Sequence, residues 1–162
     1  MDIQSIVREL CAFSDEQEWF EFKENWFQPE ALGEYVSALS NAAAFHHKQY
    51  AFFVWGIDDQ THKIVGTGFN QYRDHNKEPY QNYLARNLLP SINFSFEEET
   101  IEGKRIVILI IPAASELPTA STVCALIQKS DIHMRIAGTA LNSFFTDHRF
   151  KVTFQVSLWM SL

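Results

Sequence analysis

Hydrophobic and polar positions divide the chain into a series of short periodic blocks. The strongest is Tyr50–Asp59, YAFFVWGIDD, where Ala51–Ile57 holds six apolar side chains, one Gly and no charge. An uninterrupted apolar run of this length predicts a strand buried on both faces. Asp58-Asp59 and the polar Gln60-Thr61-His62-Lys63 end it, and Ile64-Val65 restores apolar character. That order predicts a turn and a second short strand paired with the first. Gly56, inside the run, predicts a bulge or the close approach of another backbone or a ligand. A second buried strand is predicted at Arg105–Ile111, entered through a turn at Glu102-Gly103.

Helical spacing marks the blocks around these strands. Asp2 is placed to cap a first helix whose stripe is Ile3, Ile6, Val7 and Leu10, ending near Phe13-Ser14. Trp19–Lys23 reads as a strand with Phe20 and Phe22 on one face and Trp19, Glu21 and Lys23 on the other. Pro29 suits a first helical turn, and Leu32, Tyr35, Val36, Leu39 and Ala43 predict a helix over Pro29–Phe45. Tyr80, Tyr83, Leu84 and Leu88 predict another from about Lys77 to Leu89, stopped by Pro90. Ile92, Phe94 and Phe96 alternate as a half-buried strand does. The pattern weakens after the Pro112–Pro118 loop, with strands expected near Cys124–Gln128, Ile132–Ile136 and Val152–Leu158 and a helix near Leu141–Phe145. Together these predict a single α/β (α+β) domain over residues 1–162, a mixed sheet with two buried central strands packed by helices.

Composition narrows the class. The 162 residues are 46% hydrophobic and include 14 Phe and 4 Trp, enough for a packed core. No apolar run is long enough to span a bilayer, and MDIQSIVREL carries charge where a signal peptide needs an apolar stretch, so a cytoplasmic location is expected. Cys11 and Cys124 have no metal or redox spacing and read as reduced core thiols. Residues 1–59 hold 11 Asp and Glu against 3 Lys and Arg, while residues 60–162 hold 9 against 10, giving −8 and +1 and so the net −7. A phosphate-binding surface must then be local and belong mainly to the second part.

Several chemical motifs are absent or weak. There is no GxxxxGK[ST] phosphate loop and no G-x-S-x-G nucleophile elbow. His46-His47 point differently from a helix end, with no Cys or carboxylate at ligand spacing. His62, His75, His133 and His148 are isolated and read as surface or loop residues. Trp19, Trp26, Phe27 and Trp55 could stack nucleobases, although an aromatic on a buried strand usually packs into the core.

The ordered set WFEFK, a helix with SALSNAAAFHH, YAFFVWGIDDQTHKIVGTG, then IVILIIPAASELP and the Arg135–Gly138 region resembles the Schlafen-type AlbA-like domain, with a best-matching core over 16–138. That family was earlier described as a divergent AAA-type ATPase domain. It is common at the N-termini of bacterial transcriptional regulators and RecG-related helicases. The resemblance implies a nucleic-acid-binding module, with DNA or RNA as partner and DNA preferred; a homo-oligomer is left open. Contacts are then expected from Lys23, Lys48, Arg73, Lys77, Arg86 and Arg135. In nuclease members three acidic residues form a metal-dependent site, and by position these are Glu16, Glu21 and Asp58 here, with Mg²⁺ or Mn²⁺ as the cofactor. The plainer reading of the same three is solvated strand-entry and turn residues. A third alternative is a structural or oligomerisation domain. The family commonly carries Asn followed by a Gly-Gly pair, whereas this chain has Asn41 followed by Ala42-Ala43-Ala44, which argues against a glycine-loop phosphate cradle and the ATPase description. RFKVTFQVSLWMSL has no family counterpart, and the chain is expected to be an N-terminal fragment or a short form.

Overall fold

The computed structural model describes residues 1–115 and 119–121. Helix α1 (Ile3–Cys11) starts at Asp2, whose carboxylate accepts from the Ser5 amide at 3.4 Å and the Ser5 hydroxyl at 2.5 Å. This satisfies a first-turn amide that the helix itself leaves unpaired. Strand β1 (Phe20–Lys23) buries Phe20 and Phe22 and leaves Glu21 and Lys23 partly exposed, the period of two its sequence predicts. Helix α2 (Pro29–Phe45) begins on Pro29, where a missing N–H has no cost, and buries Leu32, Val36, Leu39 and Ala43. Strand β2 (Tyr50–Trp55) is buried from Ala51 onward.

A hairpin of β3 (Asp74–His75) and β4 (Glu78–Pro79) leads into α3 (Tyr80–Arg86) and the short β5 (Leu88–Leu89). Strands β6 (Ser95–Ile101) and β7 (Lys104–Pro112) form a long antiparallel pair, and β8 (Ala120–Ser121) pairs with β5. The main sheet has the order β1-β2-β7-β6. β1 and β2 are parallel and the other two pairings antiparallel, so the sheet is mixed and its two central strands are the two apolar runs. α2 packs on β2 and β7, placing its apolar stripe against the sheet.

Local backbone chemistry moves some expected boundaries. The helix expected from Lys77 starts at Tyr80, because Asn76 and Lys77 adopt left-handed φ values of 52° and 68° and turn β3 back on β4. A two-residue turn with both φ positive suits a tight hairpin, and Asn favours it. The helix ends at Arg86, where Asn87 Nδ2 donates to the Tyr83 carbonyl at 2.8 Å, three residues before Pro90. Ile64-Val65 is no strand: a single bridge joins Ile57 to Ile64. The strand expected at Ile92–Phe96 starts instead at Ser95 and runs through Glu97, Glu98 and Glu99, since an edge strand can be polar where its face meets water. Glu102 and Gly103, at φ 55° and 73°, form the expected turn into β7.

Gly56 ends β2 at φ 100°, and its carbonyl accepts from both Val65 and Gly66 at 2.8 and 2.9 Å. A Cβ there would lie 2.7 Å from Ile106 Cδ1 and 3.0 Å from the Arg105 carbonyl, so the close approach predicted from sequence is present. The elements expected beyond Ser121, together with Cys124 and Arg135, lie outside the described residues.

Candidate functional site

The carboxylates around β1 come to their places by ordinary strand and turn geometry. Glu16 precedes β1 and folds back so that Oε1 accepts from the Phe22 amide at 2.5 Å. Burial pushes its carboxyl above the usual range, the Phe22 hydrogen bond opposes this, and the Glu21 charge adds to it. Glu21 and Lys23 share a strand face, as alternation requires, and their Oε1 and Nζ lie 2.6 Å apart. Lys23 Nζ also lies 3.9 Å from Asp59. Burial lowers the Lys23 pKa, but the Glu21 hydrogen bond and the charges of Glu21, Tyr35 and Glu16 outweigh it and the net direction is up.

Asp58 is committed to Thr61. Its Oδ1 accepts from the Thr61 hydroxyl at 2.5 Å and the Thr61 amide at 2.7 Å, and those bonds hold its carboxyl below the ordinary value. This is the use of Asp as a turn former. Asp59, which the sequence reading treated only as the end of the β2 run, joins Glu21 in acting on both Glu16 and Lys23. Among the described residues, no group of three or more His, Cys, Asp or Glu is placed to hold a metal ion. In this arrangement the donor set does not fit a divalent cation. Glu16 gives an oxygen to a backbone amide, Glu21 is bonded to an ammonium, and Asp58 is tied into its own turn.

The expected cations are dispersed. Lys23 sits at the C-terminal end of the parallel β1–β2 pair and Lys48 just before its other end. Lys48 Nζ lies 4.7 Å from the Trp19 ring centroid. Arg73, Lys77 and Arg86 lie on or next to the β3–β4–α3 unit and are each exposed. Arg73 stacks over Phe27 at 4.2 Å, and Arg86 pairs with Glu78 at 2.6 Å. His46, without a carboxylate at sequence spacing, meets Glu18 at 2.7 Å across the fold. Trp19 and Trp55 are core residues, and Trp26 and Phe27 pack against the same core.

Sequence reasoning missed Arg105, which organises the 67–71 loop. Its guanidinium donates to the Phe69 carbonyl at 2.5 Å, to Gln71 Oε1 at 3.0 Å and to both oxygens of Glu98 at 2.8 Å. Its signal was a cation beginning a buried run, which needs partners where the strand leaves water.

A family model described as Schlafen, AlbA_2 matches residues 16–141. The chain belongs to the Schlafen AlbA_2 family. Two solved structures show similarity to this AlbA_2 chain. One is a protein from Corynebacterium diphtheriae, at 17% identity and TM-score 0.47, covering 74% of this chain and 23% of that one. The other is the N-terminal domain of a RecG-related protein from Nitrosomonas europaea, at 21% identity and TM-score 0.45, covering 68% and 72%. The chain therefore spans under a quarter of the length of the Corynebacterium protein. No curated protein matches.

Within the AlbA_2 frame, Asn41 is a clasp. It is buried, and its side-chain amide donates to the Thr119 carbonyl at 3.0 Å and accepts from the Thr119 amide at 2.9 Å. It thus ties the chain after β7 to α2, while Ser40 Oγ donates to the Pro112 carbonyl at 2.7 Å. No helix among the described residues is long and apolar enough to cross a membrane.

Proposed function

We propose that this AlbA_2 chain is a nucleic-acid-binding module, DNA in preference to RNA, of a cytoplasmic transcriptional regulator, and that it binds without hydrolysing. Family membership supports the class. The observation that carries the reading further is that Arg73, Lys77 and Arg86, on or next to the β3–β4–α3 unit, are each exposed beyond the acidic first part of the chain. Arg86 shares its charge with Glu78, so few phosphates are neutralised and affinity falls with salt on a shallow slope.

Titration of labelled single- and double-stranded DNA and RNA at low salt tests this. Weak binding is expected, reduced alike for all sequences by Arg73→Ala with Lys77→Ala, because phosphate contacts carry no sequence information. Absence of binding by the folded protein at the lowest usable salt would put a structural or oligomerisation role ahead.

A metal-dependent nuclease is the second reading. It draws on one observation, the convergence of the Glu16, Glu21 and Asp59 charges on Lys23. It would require Lys23 to withdraw and Asp58 to leave its turn before Glu16, Glu21 and Asp58 could share a cation.

A further inference from the structure

Arg8, His62, Lys63 and Lys104 line a pocket of about 470 Å³ that also meets Cys11, Ala12 and Ile64. These residues come from the C-terminal turn of α1, the turn after β2 and the start of β7, three segments far apart in sequence. Glu102 is the single carboxylate in the lining. In a chain of net charge −7, this one cavity therefore gathers three permanent cations against one anion.

Among the described residues, those cations also have no carboxylate partner. Lys23, Arg86 and Arg105 are each paired with a carboxylate, whereas Arg8, Lys63 and Lys104 are in none of the ion pairs among the described residues. Lys104 Nζ instead donates to the Ile64 carbonyl at 2.6 Å, which anchors it and leaves its charge unneutralised. His62 Nδ1 donates to the Phe13 carbonyl at 2.8 Å, so the neutral ring keeps Nε2 free of a proton and the charged ring offers Nε2 as a second donor. α1 presents its C-terminal turn, so the attraction comes from side chains and not from the helix dipole.

We propose that this pocket binds a phosphomonoester. A dianion with three terminal oxygens matches three separate cations better than a single carboxylate would, and Arg8 can take two of those oxygens at once. The volume falls within the ~300–1,000 Å³ typical of small-molecule sites, and Cys11, Ala12 and Ile64 give an apolar wall for the group that carries the phosphate. The choice of a nucleotide as carrier rests on the nucleic-acid reading above; the phosphate itself does not.

The test is calorimetric titration at low salt with AMP, adenosine and inorganic phosphate, and with one oligonucleotide bearing either a 5′-phosphate or a 5′-hydroxyl. AMP should bind and adenosine should not, and the 5′-phosphate should tighten oligonucleotide binding. Arg8→Ala with Lys63→Ala, both at exposed positions, should weaken AMP about tenfold or more, whereas Glu102→Gln should tighten it. Equal affinity for AMP and inorganic phosphate would support the site with free phosphate as its ligand; tighter AMP would support a nucleotide. Failure of both AMP and phosphate to bind the folded protein overturns the proposal, as does binding unchanged in the double variant. Oligonucleotide binding that ignores the 5′-phosphate, with AMP unbound, sinks the pocket and leaves the nucleic-acid reading standing. AMP binding without any oligonucleotide binding does the reverse.

Discussion

Trp55 and Phe69 lie face to face, their ring centroids 4.2 Å apart and their planes 8° from parallel. Trp55 is the last residue of a central strand, and its indole N–H donates to the Trp26 carbonyl at 2.7 Å, which fixes the ring. Phe69 belongs to the loop that Arg105 gathers, so the stack joins loop to sheet. Truncating this buried ring as Phe69→Ala should destabilise by ~3–5 kcal/mol, the range for aromatic-to-alanine core changes. Urea unfolding followed by tryptophan fluorescence measures it, and a loss near zero would mean that the loop does not depend on the stack.

Gly56 and Gly103 provide a matched pair. Both have positive φ, but a Cβ at Gly103 meets nothing within 4 Å, whereas one at Gly56 meets Ile106 at 2.7 Å and backbone at 3.0 Å. Gly103→Ala should cost only the left-handed strain, ~1–2 kcal/mol. Gly56→Ala should cost clearly more, because overpacking adds a further ~1–3 kcal/mol. Thermal midpoints of the two variants in one buffer decide the ordering, and equal losses would contradict the close approach.

Acid stability should show two slopes of opposite sign. Hydrogen bonds from Arg105 and Gln71 hold Glu98 down at about 2 from an ordinary 4.5. A depressed folded pKa gives stability that is present above the ordinary carboxylate value and lost as pH falls toward about 2. Glu98→Gln should flatten that acid loss. The size is modest, since Glu98 is 43% exposed and solvent screens the pair. Glu16 is shifted upward by burial, so its contribution is present below the ordinary value and lost as pH rises through its folded pKa. Glu16→Gln keeps an acceptor for Phe22 and should remove that second loss. Chemical denaturation from acid to neutral pH reads both.

Mn²⁺ or Mg²⁺ should produce no cleavage of RNA or DNA. A metal site needs its ligands held in a near-fixed shell, and here Lys23 stands between the carboxylates in the cation's stead. Metal-dependent cleavage that vanishes in Glu21→Gln or Asp58→Asn, with the variants folded, would establish the nuclease reading. Cleavage that survives both would point to a contaminant or to another site.

The central strands and both long helices were legible because burial leaves a period in the chain. Ala51–Trp55 and Ile106–Ile111 are apolar because water reaches neither face, and Pro29–Phe45 starts and stops where its stripe does. β6 was expected, but placed from Ile92 rather than Ser95, because Glu97, Glu98 and Glu99 carry no apolar signal and an edge strand needs none. Lys77 looked helical until its left-handed φ placed it in a hairpin turn. The candidate sites were less legible than the fold. Alternation put Glu21 beside Lys23, but nothing local distinguishes Asp59, which reaches Lys23, from Asp58, which bonds Thr61. Arg8, Lys63 and Lys104 look like unrelated surface charges until three distant segments meet.

The pairing of β2 with β7 sets an order of assembly. β6 and β7 are joined by a two-residue turn and can zip locally, and β1, α2 and β2 form a second contiguous run. The register from Tyr50–Pro112 to Trp55–Val107 joins the two halves strand to strand, with α2 packed across β7 and α1 against β6, and it closes a long loop before apolar surface is gained there. That seam is the late, rate-setting step expected of non-local strand pairing. Amides of β2 and β7 should then exchange with solvent only through global opening, while those of the β3–β4 hairpin exchange through local fluctuations.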